Sequence, residues 1–289
     1  LICFLFLLSC AGPGLEISKK EVLGNTASNN DSKVIWEPKP RPVAKGNDGQ
    51  LLVRTSESMK LLYAAHNTKG KQNLFMAKTK NIGDSFSNSI SVNSEKDEVS
   101  AHGENGPKLK QGKGRGIFAA WVGKRDIKFA RSMNFGRSFG PAIRVNDDKG
   151  KASQSFFSME VAPDGKIFTA WLDGRDKRSG KPGTSSFYIA RSVNQGKSFE
   201  KNIKVSGDVC PCCRAALAFG DNGEIFASWR HVYADNERIM VVATSLDGGE
   251  TWTDPVKVTK AGWKVNLSLI HISEPTRPRL ISYAVFCLK

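Results

Sequence analysis

Three cysteines around position 210 have the widest chemical repertoire in this sequence. Cys210, Cys212 and Cys213 stand in the string Cys-Pro-Cys-Cys-Arg, far from the other three of the six cysteines. Clustered thiolates bind soft metals such as copper(I) or zinc, and in an oxidising compartment they instead form disulfides. If Cys212 and Cys213 lie on a strand, they point to opposite faces and do not serve one site. We therefore favour a disulfide to a cysteine further along the parent protein, with a metal site as the alternative and no other cofactor.

A pattern that occurs four times predicts the elements that position these cysteines. Each copy reads Ser/Thr-x-Asn/Asp-x-Gly-x-Ser/Thr-aromatic, where x is any residue. The copies recur roughly every 50 to 60 residues, which is the length of one four-stranded propeller blade. They occupy residues 79–86, 132–139, 192–199 and 245–252.

An apolar segment precedes each copy and predicts the second strand of a blade. Two of these segments follow the dipeptides Asp164-Gly165 and Asn222-Gly223, which tolerate the positive φ of a tight hairpin. Helical periodicity is absent from the sequence, so we expect an all-β fold, a β-propeller of four-stranded antiparallel blades with about four blades present. The apolar segments are residues 62–66, 117–121, 167–171 and 225–229.

The repeated pattern resembles the Asp box, or BNR repeat, of the sialidase (neuraminidase) family. The resemblance covers about residues 50–266 and implies a six-bladed sialidase-like propeller in the complete parent. In the box, the Asn or Asp side chain bonds nearby backbone N–H groups, the glycine takes a left-handed conformation and the aromatic residue packs between sheets. We therefore expect structural roles for Asn81, Gly83, Asn134, Gly136, Asn194, Gly196, Asp247 and Gly249.

The resemblance also implies which side of the propeller carries a functional site. Sialidase boxes lie at the turns between third and fourth strands, opposite the active site. The loops between second and third strands and the connections between blades then form the other, upper face, where variable loops such as residues 123–126 are expected to carry function. For every candidate on this face, a surface ion pair or a loop hydrogen bond is the alternative. The candidate pocket residues are His102, Glu104, Asp173, Arg175, Arg214 and Arg230.

The catalytic residues of sialidases do not carry over to this sequence. The family holds the substrate carboxylate with three arginines and uses a Tyr assisted by a Glu as nucleophile, with an Asp as acid/base. The first-blade Arg-Ile-Pro is absent, Arg54 matches it poorly, and Tyr63, Tyr188 and Tyr233 do not occupy the position of the nucleophile. We assign no catalytic residue. We expect an exo-α-sialidase-like glycoside hydrolase if the complete parent is active, and no activity from the four blades alone.

The N-terminal segment indicates export. The apolar run at residues 1–8 resembles the hydrophobic core of a signal peptide without its charged start. Residues 7–10, Leu-Leu-Ser-Cys, resemble a bacterial lipobox, in which the cysteine is lipidated; an ordinary export signal is the alternative. We interpret residues 1–10 as this signal and residues 11–45 as a tether. This predicts a lipoprotein of the bacterial cell envelope, in the outer membrane, anchored at Cys10.

The C-terminal segment, residues 267–289, resembles the translation of a sequencing-library adapter and its flanking primer. We therefore exclude it from the propeller, which we place at residues 46–266. A native pair of strands is the alternative.

The charge balance favours an anionic partner. The chain has 43 Lys and Arg against 28 Asp and Glu, a formal net charge of +15. An exported protein seldom meets nucleic acid, so we expect a sialylated or other acidic glycan on the upper face and no nucleic acid. Contact with a membrane is expected only through the lipid anchor. The alternatives are an ordinary solvated basic surface and a non-catalytic propeller that binds a protein partner or a metal.

Overall fold

Four antiparallel blades of four strands follow one another along the chain, and the third and fourth are joined into one eight-stranded sheet by the pair Val209 and His231. The computed structural model describes residues 46–52, 59–66, 70–80, 85–101, 105–176 and 184–258. The first blade comprises β1 (Gly46–Leu52), β2 (Met59–His66), β3 (Gln72–Thr79) and β4 (Ile90–Ser91). The second comprises β5 (Lys108–Gln111), β6 (Ile117–Gly123), β7 (Asp126–Ser132) and β8 (Ile143–Arg144). The third comprises β9 (Gln154–Val161), β10 (Ile167–Asp173), β11 (Ser185–Ser192) and β12 (Ile203–Val209). The fourth comprises β13 (Ala216–Phe219), β14 (Ile225–Val232), β15 (Arg238–Ser245) and β16 (Val256–Lys257).

Several sequence predictions fall outside the described residues. They are the signal segment with Cys10, the tether, the C-terminal segment, and Asn81, Gly83, His102 and Glu104. Within the described ranges, no helix has the length and apolar character needed to cross a bilayer.

The second strand of each blade lies inside its sheet, and in the second and third blades it is buried on both faces. Every residue of β6 and β10 is buried, and Trp121, Trp171 and Trp229 are fully buried. A continuous apolar run of this length fits a strand that is covered on both sides. The four predicted second strands are confirmed as β2, β6, β10 and β14.

The hydrophobic core lies between neighbouring blades. One buried cluster joins the first and second blades, another joins the second and third, and another joins the third and fourth. In the last of these, Phe187 of β11 packs against Trp229 of β14 with ring centroids 5.0 Å apart. Each blade is therefore stabilised mainly by the blades beside it.

The two ends of the strands form different faces. The turns between first and second strands lie at the same end as the boxes, and Gly165 and Gly223 in two of these turns have φ of +93° and +90°. The loops between second and third strands and the connections between blades lie at the opposite, upper end. The innermost strands β1, β5, β9 and β13 contact one another in chain order, so they line the propeller axis. Among the described strands the sheets do not close into a ring.

The Asp boxes of the second, third and fourth blades are turns held by their own polar side chains. In the second blade, Asn134 Oδ1 accepts hydrogen bonds from the backbone N–H groups of Arg137 (3.0 Å) and Ser138 (3.1 Å). Ser132 Oγ accepts one from the N–H group of Gly136 (2.8 Å). The third and fourth blades repeat the bonds to the N–H groups of the glycine and of the following Ser or Thr. The box side chains are thus occupied in closing the turn between third and fourth strands.

The fourth box carries an acid where the second and third carry Asn134 and Asn194. Hydrogen bonds from Thr251, first from its hydroxyl and then from its N–H group, hold the pKa of Asp247 well below its usual range. The hydroxyl of Ser245 adds a further bond of 2.7 Å. An ionised carboxylate only accepts hydrogen bonds, so it fits a site where every neighbouring group donates.

The box glycines also allow each blade to pack closely against the preceding one. Gly196 has a φ of +75°, and a Cβ atom there would lie 2.4 Å from Cε1 of Phe129 in β7. Phe199 of the same box meets the ring of Phe129 edge-on, with centroids 5.1 Å apart. The glycines of the second and fourth boxes face Met76 and Phe168 in the same way. One short motif thus fixes both a turn and a contact between blades.

Gly196→Ala is expected to destabilise the fold more than Gly70→Ala. Both glycines have a φ of +75°, so alanine costs roughly 1 kcal/mol in backbone strain at either position. Nothing lies within 4 Å of a Cβ at Gly70, whereas at Gly196 the methyl group meets Phe129, and overpacking should add about 1–3 kcal/mol. Urea unfolding of both variants gives the two free energies of unfolding.

An equal decrease in the free energy of unfolding of the two variants would contradict the contact between blades. It would show that only the backbone conformation matters at Gly196.

Candidate functional site

The connections between blades place one residue at an equivalent upper-face position in each of three blades. Ser100, Ser155 and Cys210 all pair with the residue that follows the buried tryptophan of the second strand. In the third blade the chain passes from this position straight along the inner strand. In the fourth blade it first makes the extra loop 211–215. The cysteines therefore lie at the inner, axis-facing edge of the fourth blade.

The sulfur atoms of the three clustered cysteines converge. Cys210 Sγ lies 3.2 Å from Cys212 Sγ and 3.3 Å from Cys213 Sγ, and the latter two are 3.7 Å apart. On a strand, the adjacent Cys212 and Cys213 would point to opposite faces, as predicted from the sequence. Residues 210–213 instead form a turn, in which side chains need not alternate between faces. Cys210 is buried, Cys213 is half-buried and Cys212 is exposed.

A buried arginine contacts this cluster. Arg238, only 3% exposed, donates a hydrogen bond from Nη1 to Cys210 Sγ (2.8 Å) and one from Nη2 to Asn236 Oδ1 (3.3 Å). Hydrogen bonds from Cys212 and Cys213, and then the charge of Arg238, lower the pKa of Cys210. The pKa of Cys213 is raised because it donates, first to Cys210. No sequence signal links Arg238 to the cysteines, because the contact joins the first residue of β15 to a turn 28 residues earlier.

Two of the predicted pocket residues, Asp173 and Arg175, form an ion pair with each other. The side chain of Asp173 is fully buried; its Oδ2 accepts a hydrogen bond from Trp171 Nε1 (2.7 Å) and lies 2.9 Å from Arg175 Nη2. Arg175 also lies 2.6 Å from Asp147 and stacks over the ring of Tyr188 at 4.2 Å. The pair belongs to an internal network, and its role in a pocket stays a prediction.

A second network surrounds Tyr188. Asp176 Oδ2 accepts hydrogen bonds from Ser186 Oγ (2.8 Å) and Tyr188 OH (3.1 Å) and lies 2.8 Å from Lys204 Nζ. Burial first, and then the negative charge of Asp176, raises the pKa of Tyr188 to about 12. The tyrosine is therefore neutral and hydrogen-bonded at physiological pH, which suits a structural role better than that of a nucleophile.

Arg214 and Arg230 lie beside the cysteine cluster. Arg214 is exposed and directly follows Cys213, and Arg230 is half-buried. The positive charge of Arg230 partly offsets the raised pKa of Cys213. The structure thus separates the described candidates into two groups, Asp173 with Arg175 in the third blade and the two other arginines with the cysteines in the fourth.

An open cleft with a volume of about 480 Å³ lies on the upper face of the second blade. The connection from the first blade, the loop between β6 and β7, and the connection to the third blade line it. The lining residues are 96–98, 123–126, Lys128 and Gly150. Apart from two glycines its lining residues are charged, and the cleft is open to solvent.

Two cations of this cleft, Arg125 and Lys96, are exposed and make no ion pair within the described ranges. Arg125 carries the planar guanidinium, whereas Lys124 lies 3.8 Å from Glu98. Asp126 is held by Arg144 at 3.1 Å. The sequence pointed to this loop as variable, but none of its residues stood among the candidates. The signal that could have found Arg125 is a basic pair at the turn between two apolar strands.

Solved structures of other proteins share this fold. No family model and no curated protein matches the chain. The Hadza microbial sialidase Hz136 is 17% identical with a TM-score of 0.51, covering 73% of this chain and 46% of that chain. The fold is sialidase-like. The polysaccharide lyase PL25-Ulvanlyase bound to -[GlcA(1-4)Rha3S]- is 16% identical with a TM-score of 0.54, covering 74% of this chain and 55% of that chain. This chain therefore spans about half the length of both.

Asp176→Asn is expected to lower the pKa of Tyr188 from about 12 towards, but not to, the ordinary value near 10. The substitution removes the carboxylate charge, while burial, the larger cause of the raised pKa, remains. A pH titration of tyrosinate absorbance measures the change, and Tyr188→Phe identifies the signal among the four tyrosines.

The raised pKa of Tyr188 also makes the stability of the fold depend on pH. Below pH about 10, Tyr188 is protonated in both the folded and the unfolded state and adds no pH dependence. Between about 10 and 12 the unfolded state loses the proton first, so this contribution to stability falls as pH rises. A pKa of Tyr188 that stays unchanged in Asp176→Asn would contradict its contact with the carboxylate.

Proposed function

We propose that the upper face of this propeller binds acidic glycans, sialylated ones in the first place. We further propose that the complete parent is an exo-sialidase-like glycoside hydrolase, held as a lipoprotein in the bacterial envelope by an anchor at Cys10. The observation that carries the glycan proposal is the upper-face cleft with the exposed, unpaired guanidinium of Arg125.

The cleft suits a short stretch of acidic sugar in size, and its four basic side chains outnumber its three acidic ones. Small-ligand sites usually measure about 300–1,000 Å³, and this cleft of about 480 Å³ lies within that range. The planar guanidinium of Arg125 can hold a sugar carboxylate through two parallel hydrogen bonds. Lys96 and Lys124 add positive charge, and the carboxylate of Glu98 can accept hydrogen bonds from sugar hydroxyls.

The shared fold gives this proposal a context but does not supply its chemistry. One structural neighbour is a sialidase, and the other holds an oligosaccharide that contains GlcA, an acidic sugar. Because a fold hosts many unrelated functions, the proposal depends on the cleft and not on the likeness.

Binding and hydrolysis are separate parts of the proposal. Hydrolysis needs a nucleophile and an acid/base group beside the bound sugar. We assign neither role to a described residue, and Tyr188 with its raised pKa is committed to Asp176. The chain in hand is therefore expected to bind acidic glycans without cleaving them, while the complete parent is the species to test for cleavage.

Arg125→Ala is expected to weaken binding of sialyllactose by about tenfold, the effect of losing one charge-assisted contact of about 1.5 kcal/mol. Isothermal titration calorimetry of this chain with sialyllactose and with uncharged lactose measures the effect. Arg115→Ala is the matched control, because Arg115 is also exposed but lies in the turn between β5 and β6 at the opposite end of the blade.

Equal loss in both variants would show that general charge, and not the cleft, attracts the sugar. Equal affinity for sialyllactose and lactose, or no binding of either, would overturn the proposed ligand class.

A further inference from the structure

The three cysteine sulfurs are spaced almost as they would be around one metal ion. Metal–sulfur bonds of about 2.3 Å place the sulfurs of a three- or four-coordinate site roughly 3.8–4.0 Å apart. The observed separations between Cys210, Cys212 and Cys213 are 3.2–3.7 Å. Shifts of a few tenths of an ångström in one turn would bring all three thiolates to bonding distance of a common centre.

The backbone holds this turn in place from one side and leaves it open on the other. The N–H group of Cys210 donates to the carbonyl oxygen of Arg230 (2.8 Å), and the preceding residue, Val209, pairs with His231 across β12 and β14. Cys210 is therefore anchored and buried, while Cys212 is exposed to solvent. An ion can enter from the side of Cys212 without rearrangement of the sheet.

The charge around the cluster favours an anionic centre. The buried guanidinium of Arg238 makes no ion pair with a carboxylate in the described part of the chain, and its Nη1 instead donates to Cys210 Sγ. A buried cation is costly unless it meets an anion. Thiolates bound to a metal carry net negative charge. The positive charges of Arg238 and the nearby Arg230 compensate for it.

We propose that Cys210, Cys212 and Cys213 bind one thiophilic metal ion, and that this ion is copper(I). Soft thiolates select copper(I) and zinc over harder cations. Zinc almost always takes four protein ligands in structural sites. Within the described ranges, no His, Asp or Glu side chain joins the three sulfurs at this point. Three thiolates complete the coordination of copper(I), whereas zinc would still need an outside ligand such as water.

Binding is a ligand exchange with no change of oxidation state. The thiols that remain protonated release their protons as three copper–sulfur bonds form, and no electron is transferred. A disulfide between two of the cysteines would instead need an oxidant and would remove two of the three ligands. This site is independent of the proposed glycan cleft, which lies in the second blade.

The test is an anaerobic titration of the reduced full chain with copper(I) against a chromophoric copper(I) chelator. We expect one copper(I) per chain and a thiolate-to-copper absorption band in the near ultraviolet. Cys212→Ser is expected to weaken binding ~100-fold or more, because loss of a direct ligand should exceed the 10- to 100-fold effect of outer contacts. Cys212 is exposed, so its replacement should leave the fold intact, as circular dichroism can check.

Two further variants separate the metal site from other thiol chemistry. Cys10→Ser, which removes a cysteine outside the cluster, should leave the affinity unchanged. Arg238→Gln should weaken binding about tenfold at unchanged stoichiometry, and Arg238→Lys should restore part of the loss because the charge returns. The proposal would be overturned if the reduced chain competed for copper(I) no better than Cys212→Ser does. Tighter binding of zinc than of copper(I) would also overturn it.

Discussion

Every other feature of this molecule depends on the packing of one blade against the next. A four-stranded antiparallel sheet whose second strand is apolar on both faces cannot bury that strand by itself. The fully buried tryptophans 121, 171 and 229 are covered only because neighbouring blades contribute side chains to a shared layer. The Asp boxes support this packing, since the glycine at each described box accepts a side chain of the preceding blade.

This packing divides the molecule into a repetitive end and a variable end. At the box end, turn geometry and contacts between blades leave little freedom, and the second, third and fourth blades repeat the same hydrogen bonds. At the upper end, loops leave the sheets where no neighbouring blade constrains their length. The third blade uses its loop for a buried network around Asp173 and Arg175, the second forms an open charged cleft, and the fourth inserts the cysteine turn.

The two upper-face features are chemically distinct. The cleft offers a planar, permanently charged guanidinium and a few carboxylates, groups suited to the charged and hydroxyl groups of acidic sugars. The cysteine turn offers polarisable sulfurs beside a buried arginine, groups suited to a soft cation. One scaffold can carry both because each blade supplies its own loops, so a change in one loop leaves the packing of the other blades unchanged.

The sequence by itself determined the all-β fold, the four second strands and the position of the boxes, because strand periodicity and turn chemistry act between residues close in the chain. It also pointed to the loops of the upper face. Only the tertiary structure decided how their side chains are used. It buried Asp173 against Arg175, left Arg125 unpaired, and brought Arg238 from β15 onto Cys210. Asp173 and Arg175 are close in sequence, but Asp147, which also holds Arg175, lies 28 residues away. Arg238 likewise meets Cys210 across 28 residues, at a turn of residues 210–213 that replaced the alternation assumed for a strand.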